Sequence, residues 1–232
     1  MSIRDKLDIS AYLVVGRENC TRPVDEVVRA AVSAGFTCVQ IRSKVSSARE
    51  MIDTLAKSAQ AIRELGKSDS VALLVDDRLD VVLAARERGI KVDGVHVGQS
   101  DIPVDVCRKF LGEDSIVGLS ARTEELIDYV TGADVSQIDY FGAGPLHATA
   151  TKPDCGRTAD GEIITHGFDE ISALVKASPR PVVVGGGVKL KDIPALAATK
   201  VAGFFVVSAV AGADNPALAA RELVTAWRRS SC

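Results

Sequence analysis

The segment VALLVDDRLDVVLAARERGIKVDGVHV, residues 71–97, contains the pattern that decides the fold. Its apolar run at residues 71–75 is followed by two aspartates, by an amphipathic stretch that ends at Gly89, and by a second candidate strand at residues 93–97. Short continuous apolar runs are typical of strands that are buried on both faces. Because a helical pattern separates the two runs, the segment predicts a strand–helix–strand unit of a parallel sheet.

The same unit recurs along the whole chain, and the number of strands indicates the architecture. Eight strands are predicted, at residues 11–16, 37–41, 71–75, 93–97, 115–119, 138–142, 181–185 and 203–207. Helical patterns lie between them, for example at residues 47–65 and 215–227. Eight such units close a barrel better than they fill an open sheet. We therefore expect an α/β protein, a (β/α)₈ TIM barrel, as a single domain over residues 1–232.

The composition indicates a protein that binds small molecules. The formal net charge is −3 at pH 7 and the chain has no run of Lys or Arg, whereas a nucleic-acid surface needs a dense basic patch. The first residues are charged, and no apolar run approaches the roughly 20 residues of a membrane span. We expect small-molecule substrates, no nucleic-acid or membrane partner and a cytoplasmic location; the assembly state stays open, with a homo-oligomer among the alternatives.

The five cysteines are not spaced as metal ligands or as a disulfide framework. They are Cys20, Cys38, Cys107, Cys155 and Cys232, an odd number without a CxxC pair. We interpret them as reduced thiols. Two of them, Cys38 and Cys107, lie in apolar patterns and are expected to be buried as small hydrophobic residues.

Charged residues follow several predicted strands. In a (β/α)₈ barrel these positions meet at the active-site face. The polar residues after strands two to five are Arg42 and Lys44, Asp76 and Asp77, His96, Gln99 and Asp101, and Ser120, Arg122 and Thr123. Mg²⁺ prefers one or two carboxylates together with phosphate oxygens and waters, and Arg and Lys neutralise the remaining phosphate charge. The pattern predicts a site for Mg²⁺ and a diphosphate.

The last strands predict a second phosphate site. Strand seven runs into three glycines at residues 185–187, and strand eight ends in VSA at residues 207–209. Loops after these strands commonly bind phosphate in this fold, because glycine lets backbone N–H groups approach an anion. Between strands six and seven, the segment from Gly144 to Gly167 exceeds the roughly 12–15 residues of an ordinary connection and is expected to be functional.

Each of these features has a second interpretation when it is taken alone. Three glycines often form only a tight turn, and the Asp76-Asp77 pair suits a helix N-terminus. A histidine within an apolar strand, such as His96, is more often a hydrogen-bonded barrel residue than a ligand. The exposed His147 is either catalytic or solvated, and Lys152 is either catalytic or a surface charge. Only their joint occurrence at one rim favours a diphosphate-handling enzyme.

The order of motifs resembles the thiamine-phosphate synthase family, also called thiamine-phosphate pyrophosphorylase. VQIRSK at residues 39–44 resembles the family's V-Q-L-R-x-K, VDD at 75–77 resembles I-N-D, and GVHVGQSD at 94–101 resembles G-x-H-x-G-Q-x-D. The segments VGLS at 117–120, GPLHATATK at 144–152, VGGG at 184–187 and VS at 207–208 follow in order. The resemblance extends from Tyr12 to the last predicted helix.

The resemblance implies a reaction and a set of site residues. The family joins 4-amino-2-methyl-5-hydroxymethylpyrimidine diphosphate to a thiazole phosphate, giving thiamine phosphate and diphosphate. It implies that Asp77 and Asp101 bind Mg²⁺. The residues implied for the pyrimidine diphosphate are Gln40, Ile41, Arg42, Ser43, Lys44, Asp76, Ser120 and Lys152. Those implied for the thiazole phosphate are Thr149, Ala150, Thr151, Gly187, Val207 and Ser208. Catalytic roles fall to Arg42, Ser120 and Lys152.

The chain departs from the family pattern at four positions. Ser43 replaces a Glu, Asp76 an Asn, Arg122 a His and Ala148 a Pro. Asp76 matters most, because a carboxylate cannot donate a hydrogen bond as an amide does and would repel a diphosphate unless it is protonated or joins the metal shell.

Other functions are kept as alternatives. A thiazole tautomerase-like barrel would use a histidine near strand five and no metal, and this chain has Arg122 there. A non-catalytic protein that binds a phosphorylated ligand would not need the pair Asp77 and Asp101. A sugar-phosphate isomerase would need a base or a metal cluster that the sequence does not show. Release of diphosphate in the presence of both substrates separates these functions.

Overall fold

The structure, a computed structural model, describes residues 2–122, 125–149, 156 and 160–231. Eight parallel strands form a closed barrel in sequence order, with β8 paired to β1. The strands are β1 (Ala11–Val15), β2 (Cys38–Ile41), β3 (Ala72–Asp76), β4 (Gly94–Val97), β5 (Ile116–Ser120), β6 (Tyr140–Ala143), β7 (Val182–Val184) and β8 (Gly203–Val206). The TIM barrel predicted from the strand count is confirmed.

Helices surround the barrel. They are α1 (Val24–Ala34), α2 (Ala48–Glu64), α3 (Leu79–Glu87), α4 (Val104–Leu111), α5 (Leu126–Gly132), α6 (Phe168–Ala177), α7 (Ile193–Ala198), α8 (Ser208–Ala211) and α9 (Pro216–Ser230). The predicted helices at 47–65 and 215–227 correspond to α2 and α9. In the described part of the chain, no helix combines the length and the apolar character that crossing a membrane requires.

Local sequence signals explain where the helices begin and end. Ser47 and Glu50 form a capping box at the start of α2, in which Glu50 N donates to Ser47 Oγ at 3.3 Å and Ser47 N donates to Glu50 Oε2 at 2.8 Å. This reciprocal pair satisfies backbone donors that have no partner inside the helix. Past the ends of α2 and α3, Gly66 and Gly89 adopt φ of 67° and 71°, a conformation that glycine reaches at little cost.

The alternation of side chains along the strands divides the core into two layers. Leu13 and Val15 of β1 pack outward against the helices, together with Trp227 of α9. Tyr12 and Val14 point into the barrel, where they contact an inner cluster that includes Cys38 and Leu74. Successive residues of a strand face opposite sides, so the phase of each strand decides which side chains can reach the barrel interior.

Candidate active site

A cavity of about 550 Å³ opens at the carboxyl ends of the strands. Residues from all eight strands or from the loops that follow them line it. Cavities of this size accommodate small organic ligands. The rim predicted from the sequence therefore exists, and its two sides differ in chemistry.

Charged residues occupy the side of the rim that β2 and β3 form. Arg42 directly follows β2, and its Nε lies 3.1 Å from Oδ2 of Asp76, the last residue of β3. Lys44 pairs with Asp77 in the same way, two residues after Arg42 and one residue after Asp76. Both pairs arise because β2 and β3 are adjacent and in register, with Ile41 beside Val75.

The Asp76 carboxyl lies between opposing influences. Its burial and the neighbouring charge of Asp77 raise the pKa of Asp76 to about 7, although the cations of Arg42 and Lys44 act in the opposite direction. The ion-pair geometry with Arg42 indicates a carboxylate, whereas the pKa indicates a carboxyl that is half protonated near neutrality. Desolvation has the largest effect on this pKa, because Asp76 is only 9% exposed. Asp76 therefore changes charge in the neutral range.

Asp77 and Asp101 form a second acidic group beside the ion pair of Arg42 and Asp76. Burial raises the pKa of Asp77, but hydrogen bonds with Lys44 and Asp101 outweigh it and keep this pKa below its usual value. Burial and the adjacent Asp77 raise the pKa of Asp101, despite the hydrogen bond that Gly98 N donates to Asp101 Oδ2 at 2.7 Å. Two acidic side chains that are close enough to share a proton also suit a cation between them.

This pair meets the requirement of Mg²⁺ without a third protein ligand. Among the described residues, no group of three His, Cys, Asp or Glu side chains is placed to hold a metal ion. Mg²⁺ usually takes one or two carboxylates and completes its shell with waters and phosphate oxygens. Asp77 and Asp101 thus fit an ion that arrives with a phosphorylated ligand.

Ser120 and Gln40 line the cavity between the charged residues and its floor. Ser120, the last residue of β5, lies with its Oγ 3.0 Å from Nε2 of His96, a residue of β4. Gln40 is 3% exposed, and its Nε2 has no hydrogen-bond partner within the described part of the chain. A buried amide donor without a partner is costly, so Gln40 is available to a polar ligand in the cavity.

Not every residue implied by the resemblance lines the cavity. The side chain of Ile41 packs in the outer layer against the helices. Within the described part of the chain, the predicted residues that are not part of the cavity lining are Ile41, Ser43, Lys44, Asp77 and Asp101. Ser43 Oγ accepts a hydrogen bond from Ser46 N at 3.0 Å and shapes the turn after β2. The period of two along β2 is the signal that separates Gln40 and Arg42 from Ile41.

The opposite side of the rim is formed largely by the backbone of a glycine segment, and Lys189 also lines the cavity there. Gly186 and Gly187 follow β7 with φ of 79° and 75°. A Cβ on Gly186 would lie 2.4 Å from Cβ of Pro145, and one on Gly187 would lie 3.0 Å from the carbonyl oxygen of His147. Val207 and Ser208 face the same space from the end of β8. Glycine is required here for both conformation and space.

The loop after β6 is fastened to this glycine segment. Leu146 N and His147 N donate to the carbonyl oxygens of Gly185 and Gly186 at 2.9 and 3.0 Å. His147 Nε2 lies 2.9 Å from Oδ2 of Asp192, a buried partner that the sequence analysis did not identify. Thr149 lines the cavity. Ala150, Thr151, Lys152 and Thr123 lie outside the described residues, so their predicted roles stay predictions.

Arg122, the residue at the place of a family histidine, packs against a ring outside the cavity lining. Its guanidinium lies 5.6 Å from the centre of the Tyr129 ring in α5. His96, by contrast, is hydrogen-bonded inside the barrel, as predicted. A thiazole tautomerase-like barrel would need a histidine base at the end of β5. This position carries Arg122 and does not supply one.

The chain is similar to known proteins over almost its whole length. The thiamine monophosphate synthase family matches residues 11–210. The thiamine-phosphate synthase of Corynebacterium efficiens is 41% identical over 97% of this chain and 98% of its own length. That of Vibrio parahaemolyticus is 36% identical over 92% and 96%. The structure of thiamine phosphate pyrophosphorylase from Pyrococcus furiosus superposes with a TM-score of 0.79 at 28% identity, covering 98% of both chains.

Proposed function

The chain belongs to the thiamine monophosphate synthase family and acts as a thiamine-phosphate synthase, a transferase, and from that premise we propose that Asp77 and Asp101 bind the Mg²⁺ of its diphosphate substrate. The reaction joins the pyrimidine diphosphate to the thiazole phosphate and releases diphosphate. The observation that carries the proposal is the division of one rim into a charged side and a glycine side across a single cavity. Two anions of different charge need two such binding surfaces.

The charged side suits the pyrimidine diphosphate. Lys44 and Arg42 stand beside the acidic pair, so a diphosphate bound there would replace carboxylates as their partner. Mg²⁺, when bound, supplies positive charge to the diphosphate oxygens. Gln40 lines the same cavity, and its amide donor has no partner among the described residues; we propose that it binds the pyrimidine.

The glycine side suits the thiazole phosphate. Gly187, Val207 and Ser208 present backbone at the cavity wall, and N–H groups at such loops bind phosphate through hydrogen bonds that need no countercharge. Thr149 reaches the same wall, and Thr151 is proposed to add a further contact. The two reacting centres would then meet over the middle of the cavity.

The residues act by positioning and by charge stabilisation. The bond between the pyrimidine methylene carbon and a diphosphate oxygen breaks, and both electrons leave with the oxygen. The thiazole nitrogen then donates its lone pair to that carbon and forms the new C–N bond. Arg42, Ser120 and Lys152 are proposed to stabilise the charge that develops on the leaving diphosphate. No side chain needs to become a nucleophile.

The cellular setting is proposed on the state of the thiols. Cys20, Cys38 and Cys107 are free cysteines, and the last two are buried. Free thiols are typical of a reducing compartment, so we place the protein in the cytoplasm.

The test is release of diphosphate from purified protein with both substrates, with and without Mg²⁺. The proposal expects product only when both substrates and the divalent ion are present, and expects Asp77→Ala and Asp101→Ala to raise the Mg²⁺ concentration needed. Thiamine phosphate formation that does not respond to chelation would contradict the metal assignment while leaving the transferase activity established.

A further inference from the structure

Four polar side chains form a continuous chain from the barrel interior to the cavity. The Tyr12 hydroxyl lies 2.8 Å from the Tyr140 hydroxyl, which lies 2.9 Å from Nδ1 of His96. On the other edge of the same ring, Nε2 lies 3.0 Å from Oγ of Ser120. Tyr12 and Tyr140 are at most 2% exposed, although Tyr12, His96 and Ser120 all contribute to the lining of the cavity. The hydrogen-bonded series therefore connects two almost fully buried hydroxyl groups to the proposed diphosphate site.

Two glycines make room for this arrangement. His96 of β4 pairs with Gly118 of β5, and Gly118 pairs with Tyr140 of β6. A Cβ on Gly118 would lie 2.3 Å from Cζ of Tyr140, and one on Gly142 would lie 3.0 Å from Cε1 of His96. Glycine inside a strand often marks a close approach. The strands thus leave space for the two rings, which stack at 5.5 Å between their centres.

Burial sets the direction of the hydrogen bonds. In the described part of the chain, the Tyr12 hydroxyl meets one oxygen, that of Tyr140, and otherwise the thiol of Cys38. If hydrogen bonds ran inward from Ser120, the Tyr12 proton would be left with a thiol, which is a weak acceptor. A doubly protonated His96 would lead to the same result, since both ring nitrogens would then donate. A buried donor without a good acceptor is unfavourable.

The opposite direction satisfies every group. Tyr12 donates to Tyr140, Tyr140 donates to Nδ1 of His96, and Nε2–H of His96 donates to Ser120 Oγ. Among the described residues the Ser120 proton then has no acceptor, so it can be donated into the cavity. We infer that Tyr12, Tyr140 and His96 are positioning residues which orient the Ser120 hydroxyl as a hydrogen-bond donor to the leaving diphosphate. This inference rests on the proposed function for its ligand, but not for its geometry.

The tautomer of His96 tests the direction without any substrate. The chain has three histidines, so ¹⁵N resonances of labelled protein can be assigned by substituting each in turn. We expect Nε2 of His96 to be protonated and Nδ1 to accept a hydrogen bond, in ligand-free protein at mildly alkaline pH. Tyr140→Phe should move the Nδ1 resonance towards that of a nitrogen without a hydrogen bond. A protonated Nδ1 in the unaltered protein would overturn the inference.

Kinetics test the effect on Ser120. Tyr140→Phe keeps the ring and removes the donor, so kcat should fall about tenfold while the KM for the pyrimidine diphosphate changes little. In a Ser120→Ala background the same substitution should have no further effect on kcat, because residues that act through one group are not additive. An equal loss in both backgrounds would show that Tyr140 does not act through Ser120.

The remaining tyrosine supplies the matched control. Tyr129 of α5 packs edge-on against Phe141 outside the inner cluster, and Tyr129→Phe should change neither the His96 resonances nor kcat. Tyr12→Phe, which removes only the buried end, should lower kcat less than Tyr140→Phe. If the unaltered protein released no diphosphate, the proposed function would fail. The tautomer measurement would still decide the direction of the hydrogen bonds from Tyr12 to Ser120.

Discussion

The two sides of the rim offer different groups to an anion. On the side of β2 and β3, Arg42 and Lys44 are paired with Asp76 and Asp77, so binding there exchanges one ionic partner for another. On the side of β7 and β8, backbone at Gly186 and Gly187 forms the wall. Anion binding on the first side should therefore change with pH and with the metal ion. Anion binding on the second side should depend on the backbone conformation and on the space that the glycines leave.

The largest effect is expected for Lys152, which follows the described part of the loop between the two sides. If this lysine stabilises the leaving diphosphate more in the transition state than in the ground state, Lys152→Ala will lower turnover about a hundredfold, roughly 3 kcal/mol. The KM for the thiazole phosphate should change little. Single-turnover release of diphosphate is the measurement, and a rate equal to that of the unaltered protein would show that Lys152 has no catalytic role.

The next effect concerns the acidic pair. Asp77→Ala and Asp101→Ala should each lower turnover at least about tenfold, because each removes an oxygen ligand from the ion on the diphosphate. Thermal unfolding should show that both variants fold. Asp53→Ala, on the exposed face of α2, is the control for loss of a surface carboxylate. Full activity of both rim variants with an unchanged Mg²⁺ requirement would contradict a charged side built around a metal.

The glycine side should respond differently. Gly187→Ala places a side chain at φ of 75° and close to His147, at a cost of roughly 1 kcal/mol or more. We expect the KM for the thiazole phosphate to rise roughly fivefold, while the Mg²⁺ concentration needed for activity stays unchanged. Gly132→Ala in α5, where a Cβ meets no atom within 4 Å, is the matched control. A changed Mg²⁺ requirement in Gly187→Ala would show that the two sides are not independent.

The smallest effect is expected for substitution of Asp76, and it should depend on pH. Because its pKa is raised to about 7, the folded protein holds this proton more tightly than the unfolded chain. The stability that this provides is present at acid pH and is lost as pH rises through about 7. Asp76→Asn should remove this contribution and, above neutrality, improve affinity for the pyrimidine diphosphate a few-fold, about 1 kcal/mol or less.

The competing interpretation makes Asp76 a third metal contact. In that case Asp76→Asn would weaken Mg²⁺ binding instead of improving substrate affinity. Titration of the ion in both proteins, together with urea unfolding at several pH values, separates the two. The pairing of Asp76 with Arg42 favours the first interpretation.

Strand positions were predictable because apolar runs and strand burial coincide in a parallel barrel. Each predicted strand is found, and the largest shift is at β6, which begins at Tyr140 rather than at residue 138. Asp139 nevertheless donates its backbone N–H to Val117 at 2.8 Å, so pairing with β5 extends beyond the bounds of the strand. The charged residues of the site were predictable for a related reason, since they follow directly after these runs.

The sequence by itself determined the number of strands, their order and the set of polar groups that reach one rim. Only the tertiary structure decided which of these groups meet. Arg42 and Asp76 pair because β2 and β3 close in a particular register, and His96 contacts both Tyr140 and Ser120 because Gly118 and Gly142 leave space between strands. Such contacts join residues far apart in the chain, and distances between them depend on barrel closure rather than on any local pattern.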